Sequence, residues 1–382
     1  VNALLQDQVQ KQPSRYTDVE FDWGTNHTGK LNPRAPGWSV GTYRIGGSLA
    51  WLESSAQLAI SSRTVEHVDL VFSMTKINPT ENTLMNLHYF RGAWRLIELD
   101  SWGTKDKTLG AGVVSLVRSQ AQLEVFYTVA SNEIHRQEWQ NDEGTWLEEP
   151  NLGITGFQMG SHLAAAIVHS YRSGGLYSND RVLVNPGGSF YAYQPPVKHG
   201  ITVIKIGEDV HLFWLTGSGS VQSGRYYASG DIGWVFLSLF GGEAIGNKGT
   251  ALAAISRSST TINIFFIGTD LKVRNIYYNK SGNTYGNGVI STSNAQPGSI
   301  AAVAQGENAM EVFWTTSDGT PMHAYWNLQT GSKWVEEKNP NPSAHKCVPG
   351  NSIAVVNVGN AYMHGFCKAK DFSGLVQFLF QP

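Results

Sequence analysis

Residues Gly298 to Glu337 read GSIAAVAQGENAMEVFWTTSDGTPMHAYWNLQTGSKWVEE. SIAAVAQ is a short apolar run built on small residues, and MEVFWTT is β-branched and aromatic. SDGT is turn chemistry, and PMHAYWN and KWVEE are two further strand-like runs. Four such runs joined by Gly, Asp and Ser turns describe one antiparallel meander.

The layout returns along the chain. Its opening run recurs as GSHLAAAIVHS from Gly160, GTALAAISRS from Gly249 and GNSIAVVNV from Gly350, with looser copies from Ala56, Gly110 and Gly200. Anchored at Leu58, Val113, Leu163, Ile201, Leu252, Ile300 and Ile353, the copies stand 55, 50, 38, 51, 48 and 53 residues apart. A period near 50 with four strands per period predicts an all-β chain folded as a β-propeller. It forms a single domain over residues 1–382, with seven blades, or six if the short fourth unit belongs to its neighbour. The second strands keep the register, each with a Phe: Phe72, Phe126, Phe213, Phe265 and Phe313. The C-terminal segment supplies three strands and TDVEFDWG near the N-terminus one spare strand, so one blade is predicted to close from both ends. Only residues 1–12 carry any helical pattern.

Composition agrees. Charged residues are 15% of the 382, net charge is −2, and Gly (41) and aromatic residues are abundant. This suits an all-β protein with many turns. It gives no sign of a nucleic-acid partner, and no apolar run reaches membrane-spanning length. The chain begins at Val1 and holds two sequons, at Asn26 and Asn279. With its two cysteines, these favour a secreted protein. Cys347 and Cys367 fall on or near adjacent strands of the closing blade, predicting a disulfide; two buried thiols are the alternative.

The unit GxxLAAVxx…VxVFW…DGxxxxxxW…GxW, from about Ala56 to Glu337, resembles the fungal fucose-lectin-like propellers and related bacterial lectins. That resemblance implies a sugar held between blades by an Arg, a Glu or Gln, and a Trp or Tyr. The stretch EIHRQEWQNDEGTW offers Arg136, Glu138, Trp139 and Trp146 for this role. The equivalent stretches elsewhere do not repeat the Arg/Glu pair. In size, secretion signals and degenerate repeats the chain is also similar to the secreted fungal hetero-Diels–Alderases of tropolonic sesquiterpene pathways. That similarity implies a cofactor-free cyclase acting on an oxygenated, largely apolar small molecule.

No His, Cys or carboxylate set has metal spacing, and no phosphate loop is present, so no cofactor is expected. Gly217-Ser218-Gly219-Ser220 reads as a hairpin turn. One repeated feature carries chemistry. Arg63, Arg118 and Arg257 each lie five residues after their anchor, and Gln305 shares the offset. Equal offsets on innermost strands predict arginines gathered at one mouth of the axis, with His169, Tyr171 and Arg172 from the irregular fourth unit beside them. Such a pocket would polarise a substrate oxygen. Surface arginines capping strand ends are the plainer reading. Two functions follow: a cofactor-free cyclase using that pocket, or a lectin using the site at Arg136.

Overall fold

The structure is a computed structural model. It describes residues 16–18, 21–22, 37–44, 50–52, 57–77, 80–90, 93–99, 109–129, 134–140, 145–149, 163–170, 179–184, 200–207, 209–226, 234–239, 246, 251–280, 284–328, 331–338, 345–359, 362–370 and 374–381. All regular structure among them is strand, apart from one 3-10 residue at Leu239. Among the described residues no helix is long and apolar enough to cross a membrane.

The chain divides into two compact units, residues 1–161 with 343–382, and residues 162–342. The first begins with β1 (Tyr16–Asp18), β2 (Phe21–Asp22), β3 (Gly37–Arg44) and β4 (Ala50–Leu52). Blade one follows as β5 (Ala59–Thr64), β6 (His67–Ile77), β7 (Thr80–Phe90) and β8 (Ala93–Glu98). Blade two is β9 (Leu109–Ser119), β10 (Gln122–Val129), β11 (Ile134–Gln140) and β12 (Thr145–Glu149). The second unit opens with β13 (Ala165–Ser170) and β14 (Asn179–Val184). Blade three is β15 (Ile201–Ile206), β16 (Asp209–Leu215), β17 (Val221–Tyr226) and β18 (Trp234–Ser238). Blade four is β19 (Ala253–Ser258), β20 (Thr261–Ile267), β21 (Val273–Asn279) and β22 (Thr284–Val289). Blade five is β23 (Ile300–Ala304), β24 (Ala309–Thr315), β25 (Pro321–Asn327) and β26 (Trp334–Lys338). The first unit is completed by β27 (Ile353–Val358), β28 (Tyr362–Lys368) and β29 (Gly374–Gln381). Every pairing between these strands is antiparallel.

Blade six is β27, β28 and β29 with β3 as its fourth strand, so the two chain ends complete one blade as expected. The closing strand is GWSVGTYR at Gly37–Arg44, a stretch the repeat pattern does not mark. TDVEFDWG instead supplies the short β1 and β2, paired with β8 and β3. The blade count is corrected from seven to six. Among the described residues the fourth sequence unit forms only the two-stranded β13–β14 sheet. Its 38-residue interval, from Leu163 to Ile201, is the shortest of the set.

Burial explains the sequence pattern. The second strands β10, β16, β20 and β24 are buried along nearly their whole length, because both faces are covered. They therefore read as continuous apolar runs rather than alternating ones. Turns are set by glycine: Gly219 and Gly319 have φ of 90° and 89°, and each donates its N–H to a Thr carbonyl, Thr216 or Thr316, at 2.9 Å. This left-handed backbone favours glycine. Gly217–Ser220 is thus the hairpin turn its composition suggests. The Cys347–Cys367 disulfide forms, with Cα atoms 5.7 Å apart, and joins the segment before β27 to β28.

Candidate functional site

Each blade carries a buried polar residue at the same register on its second strand: Asp69, Glu124, His211, Asn263, Glu311 and His364. Side chains alternate along a strand, so this residue shares a face with third-strand positions opposite and diagonal to it. Those diagonal partners are Asn86, Arg136, Ser223, Asn275, His323 and Gln377. On the other face, strands three and four pair aromatic residues: Tyr89 with Trp94, Trp139 with Trp146, Tyr278 with Tyr285, and Trp326 with Trp334. Where one blade packs on the next, a polar face meets an aromatic face. Four such seams lie within the two units, each floored by an apolar cluster drawn from both blades: six against one, one against two, three against four, and four against five.

In three seams the main polar groups are paired within the protein, although Asn86 Oδ1, between blades one and two, is also left over. Between blades one and two, Asp69 is 1% exposed. It accepts from Arg63 Nε at 3.0 Å and Asn86 Nδ2 at 3.0 Å, and meets His88 Nδ1 at 2.8 Å. Burial pushes the Asp69 carboxyl up, but Arg63, His88 and Asn86 outweigh it and hold it well below the usual carboxylate range. Between blades six and one, Gln377 Nε2 lies 2.8 Å from His364 Nδ1, with the rings of Tyr89 and Trp94 beside that imidazole. Burial lowers the pKa of His364 to about 4. Between blades three and four, Arg225 Nη2 donates to Asp209 at 2.5 Å, and Lys280 Nζ stands 3.8 Å from the same carboxylate.

The seam between blades four and five differs. Asn263 and Asn275 are buried and share one hydrogen bond, Asn275 Nδ2 to Asn263 Oδ1 at 3.3 Å. Asn263 Nδ2 and Asn275 Oδ1 find no protein partner. Exchanging O and N in both amides leaves the same result, one donor and one acceptor over. Above them on β19, Arg257 lies 4.2 Å over the Trp326 ring and donates Nη1 to the Glu307 carbonyl at 3.0 Å. Its Nε is buried and also without a protein partner. Burial lowers its pKa from the ordinary value, yet a guanidinium stays charged. Trp334, half-buried on β26, packs edge-on to Phe265 at 5.7 Å. Glu336 closes the outer end, accepting from Thr292 N at 2.5 Å, Thr292 Oγ1 at 2.6 Å and Ser293 N at 3.1 Å. The seam thus holds a fixed cation, a neutral donor and a neutral acceptor beside an indole pair. That set suits a polyhydroxylated ligand with one apolar face.

The arginines at equal offset are structurally equivalent, and the reason is a bulge. The first-to-second-strand register shifts at Arg63, Arg118 and Arg257 alike, and a bulge re-aims its side chain. Arg63 and Arg257 are aimed into seams, over Trp139 at 5.5 Å and Trp326 at 4.2 Å. Each guanidinium is thus held against the next blade of its own unit. Arg118 and His169 stand on β9 and β13 with side chains outside the described residues, and Tyr171 and Arg172 lie wholly outside them, as does Asn26.

The sugar tetrad is divided as well. Arg136 and Glu138 share one face with Glu124. Arg136 Nη1 is 2.6 Å from Glu124 and Nη2 3.4 Å from Glu138. Trp139 and Trp146 point the other way, their rings 5.8 Å apart in the core shared with blade one. Adjacent strand residues point to opposite faces, so Arg136 and Glu138 do not share a face with Trp139. Sequence reading missed Asn263, Asn275, Trp326 and Trp334. The one available signal was a polar residue two places before the Phe of an otherwise apolar strand, as in NIFF.

No protein-family model and no curated protein matches the sequence. Solved structures do. The BP39L lectin from Burkholderia pseudomallei is 16% identical, with a TM-score of 0.66 over 86% of this chain and 96% of its own. The fucose-recognising lectin of Aleuria aurantia, a six-bladed β-propeller, is 14% identical, with a TM-score of 0.51 over 86% and 93%. A mutant of AofleA from Arthrobotrys oligospora is 12% identical, with a TM-score of 0.55 over 95% and 92%. These likenesses show the fold, an all-β six-bladed propeller.

Proposed function

We propose that the protein is a carbohydrate-binding lectin of low valency. It takes a neutral pyranoside in the seam between blades four and five. Asn263 and Asn275 bind hydroxyls as donor and acceptor, Arg257 supplies a charge-assisted donor, and Trp334 offers the apolar contact. Trp326 holds the guanidinium in place. The observation that carries this reading is the set of three buried polar atoms, Arg257 Nε, Asn263 Nδ2 and Asn275 Oδ1, without protein partners in one aromatic-walled seam. Desolvated polar groups left unpaired cost free energy, so they mark a place where a ligand completes the bonding. The related solved structures include lectins bound to fucosides, which makes α-methyl fucoside the first sugar to test. The disulfide supports a secreted protein.

Isothermal titration with a panel of methyl pyranosides tests this. At least one sugar binds at one site per chain, and Asn275→Ala weakens it about tenfold or more, the loss of roughly one buried hydrogen bond. Arg136→Ala leaves binding unchanged. Binding abolished by Arg136→Ala and indifferent to Asn275→Ala would move the site to blade two. No binding across the panel would remove the lectin reading.

A further inference from the structure

We infer that Asn279 is an N-glycosylation site whose first sugar stacks on Tyr277, so that the glycan is a structural part of blade four. In the sequence Asn279, Lys280 and Ser281 read as an acceptor tripeptide; Asn279 is the last residue of β21 and is exposed. Tyr277 lies two residues earlier on the same strand, hence on the same face and about 7 Å away. It pairs with Gly286 of β22. Its ring covers that glycine: a Cβ there would meet Tyr277 Cζ at 2.0 Å. One face of the phenol ring is therefore laid on backbone, while the residue as a whole remains 50% exposed. At Gly288, next along the same face of β22, a Cβ would meet nothing within 4 Å. An exposed aromatic plate at the stride of one residue pair from the acceptor asparagine fits a pyranose lying flat on the ring.

Modification uses a lipid-diphosphate-linked oligosaccharide. The Asn279 amide nitrogen forms a C–N bond to the anomeric carbon of the first N-acetylglucosamine. The bond from that carbon to the diphosphate oxygen breaks, the lipid diphosphate leaves with the electron pair, and the amide loses one proton. The stacking places the sugar's apolar face against a ring that is otherwise wetted, so the glycan stabilises the hairpin.

The test uses the full chain, secreted from a eukaryotic host in an Asn26→Gln background so that one sequon remains. Intact mass shows Asn279 occupied. Trimming to a single N-acetylglucosamine keeps the melting temperature, whereas Asn279→Gln lowers it by about 1–3 °C. In Tyr277→Ala, and in Tyr277→Leu should the alanine variant fail to fold, trimmed glycoprotein and Asn279→Gln melt together. An unoccupied Asn279, an Asn279→Gln protein as stable as the glycoprotein, or a glycan effect that survives loss of the Tyr277 ring each overturns the inference.

Discussion

Replacing Asn263 and Asn275 by leucine, singly and together, separates a binding device from a structural one. Each amide is buried, and the two share a single hydrogen bond at 3.3 Å. Asn275→Leu removes that bond and leaves both ends of the Asn263 amide unpartnered. Asn263→Leu does the same to Asn275. A buried polar group without a partner costs about 1–3 kcal/mol, so each single variant is expected to lose about 1.5 kcal/mol. The double variant removes both orphaned amide atoms, leaving Arg257 Nε as it was, and adds apolar contact to the cluster that already holds Ile255, Phe265 and Val312. Substituting both members of a buried polar pair by apolar groups of similar shape is near neutral or stabilising. The double variant should therefore fall within about 1 kcal/mol of wild type, giving a coupling of about 2–4 kcal/mol. Urea unfolding of the oxidised protein without sugar measures it, provided the m-value stays constant across the four proteins. Sugar binding should vanish in all three variants. Strictly additive single losses would refute the reasoning, because they would mean that the amides make their bonds inside the protein.

Three further outcomes follow from the seams and the disulfide. Arg63→Met should cost about 3–5 kcal/mol, since Asp69 keeps its charge at 1% exposure after losing its guanidinium; a loss under 1 kcal/mol in denaturant titration would show that His88 and Asn86 suffice. Cys347→Ser with Cys367→Ser opens a bridge across 20 residues and should cost about 3 kcal/mol by the loop-entropy relation, read as a lower urea midpoint. Burial lowers His364 and His211 to about 4 in the folded state against 6.5 unfolded. The unfolded chain then binds more protons between those values, so stability is full above about pH 6.5 and falls as pH drops toward 4. His364→Phe should flatten that part of the stability–pH curve, and an unchanged slope would show that His364 does not titrate there.

The propeller was legible because its evidence is periodic. Anchors such as Leu252 and Ile300 recur at nearly constant spacing, and strands covered on both faces, such as INIFF and MEVFW, announce themselves as unbroken apolar runs. The blade count was not, because the unit at Leu163 has an anchor of the right kind but a two-stranded sheet among its described residues. The closing strand Gly37–Arg44 was hidden for a related reason: it pairs with β29, more than 300 residues away, and carries no copy of the opening motif. At the site, Arg63 and Arg257 share an offset and a bulge, and each guanidinium lies over a tryptophan of the following blade. A bulge decides where such a side chain points, and nothing in AISSRT or AAISRS marks one beyond the serine whose hydroxyl donates to the carbonyl two residues on.

The four seams also suggest how valency is lost in such a fold. A charged pair that could grip a ligand can equally grip a partner from its own blade. Asp69 with Arg63, and Asp209 with Arg225, have done so at 3.0 and 2.5 Å. Once a carboxylate is buried with its guanidinium, removing either partner leaves an uncompensated charge, so the closed seam is held by its own stability. An amide pair is different. Two facing asparagines can close on each other through two reciprocal N–H···O bonds, but here only one forms, and Asn263 Nδ2 and Asn275 Oδ1 are left over. The seam at Asn263 and Asn275 is thus held by no ion pair between those two residues and keeps a donor and an acceptor over. Converting the pair to a self-satisfying one, with Asn263→Asp and Asn275→Arg, is expected to raise resistance to urea and abolish sugar binding together. A variant that gained stability and still bound sugar would show that the ligand is held elsewhere.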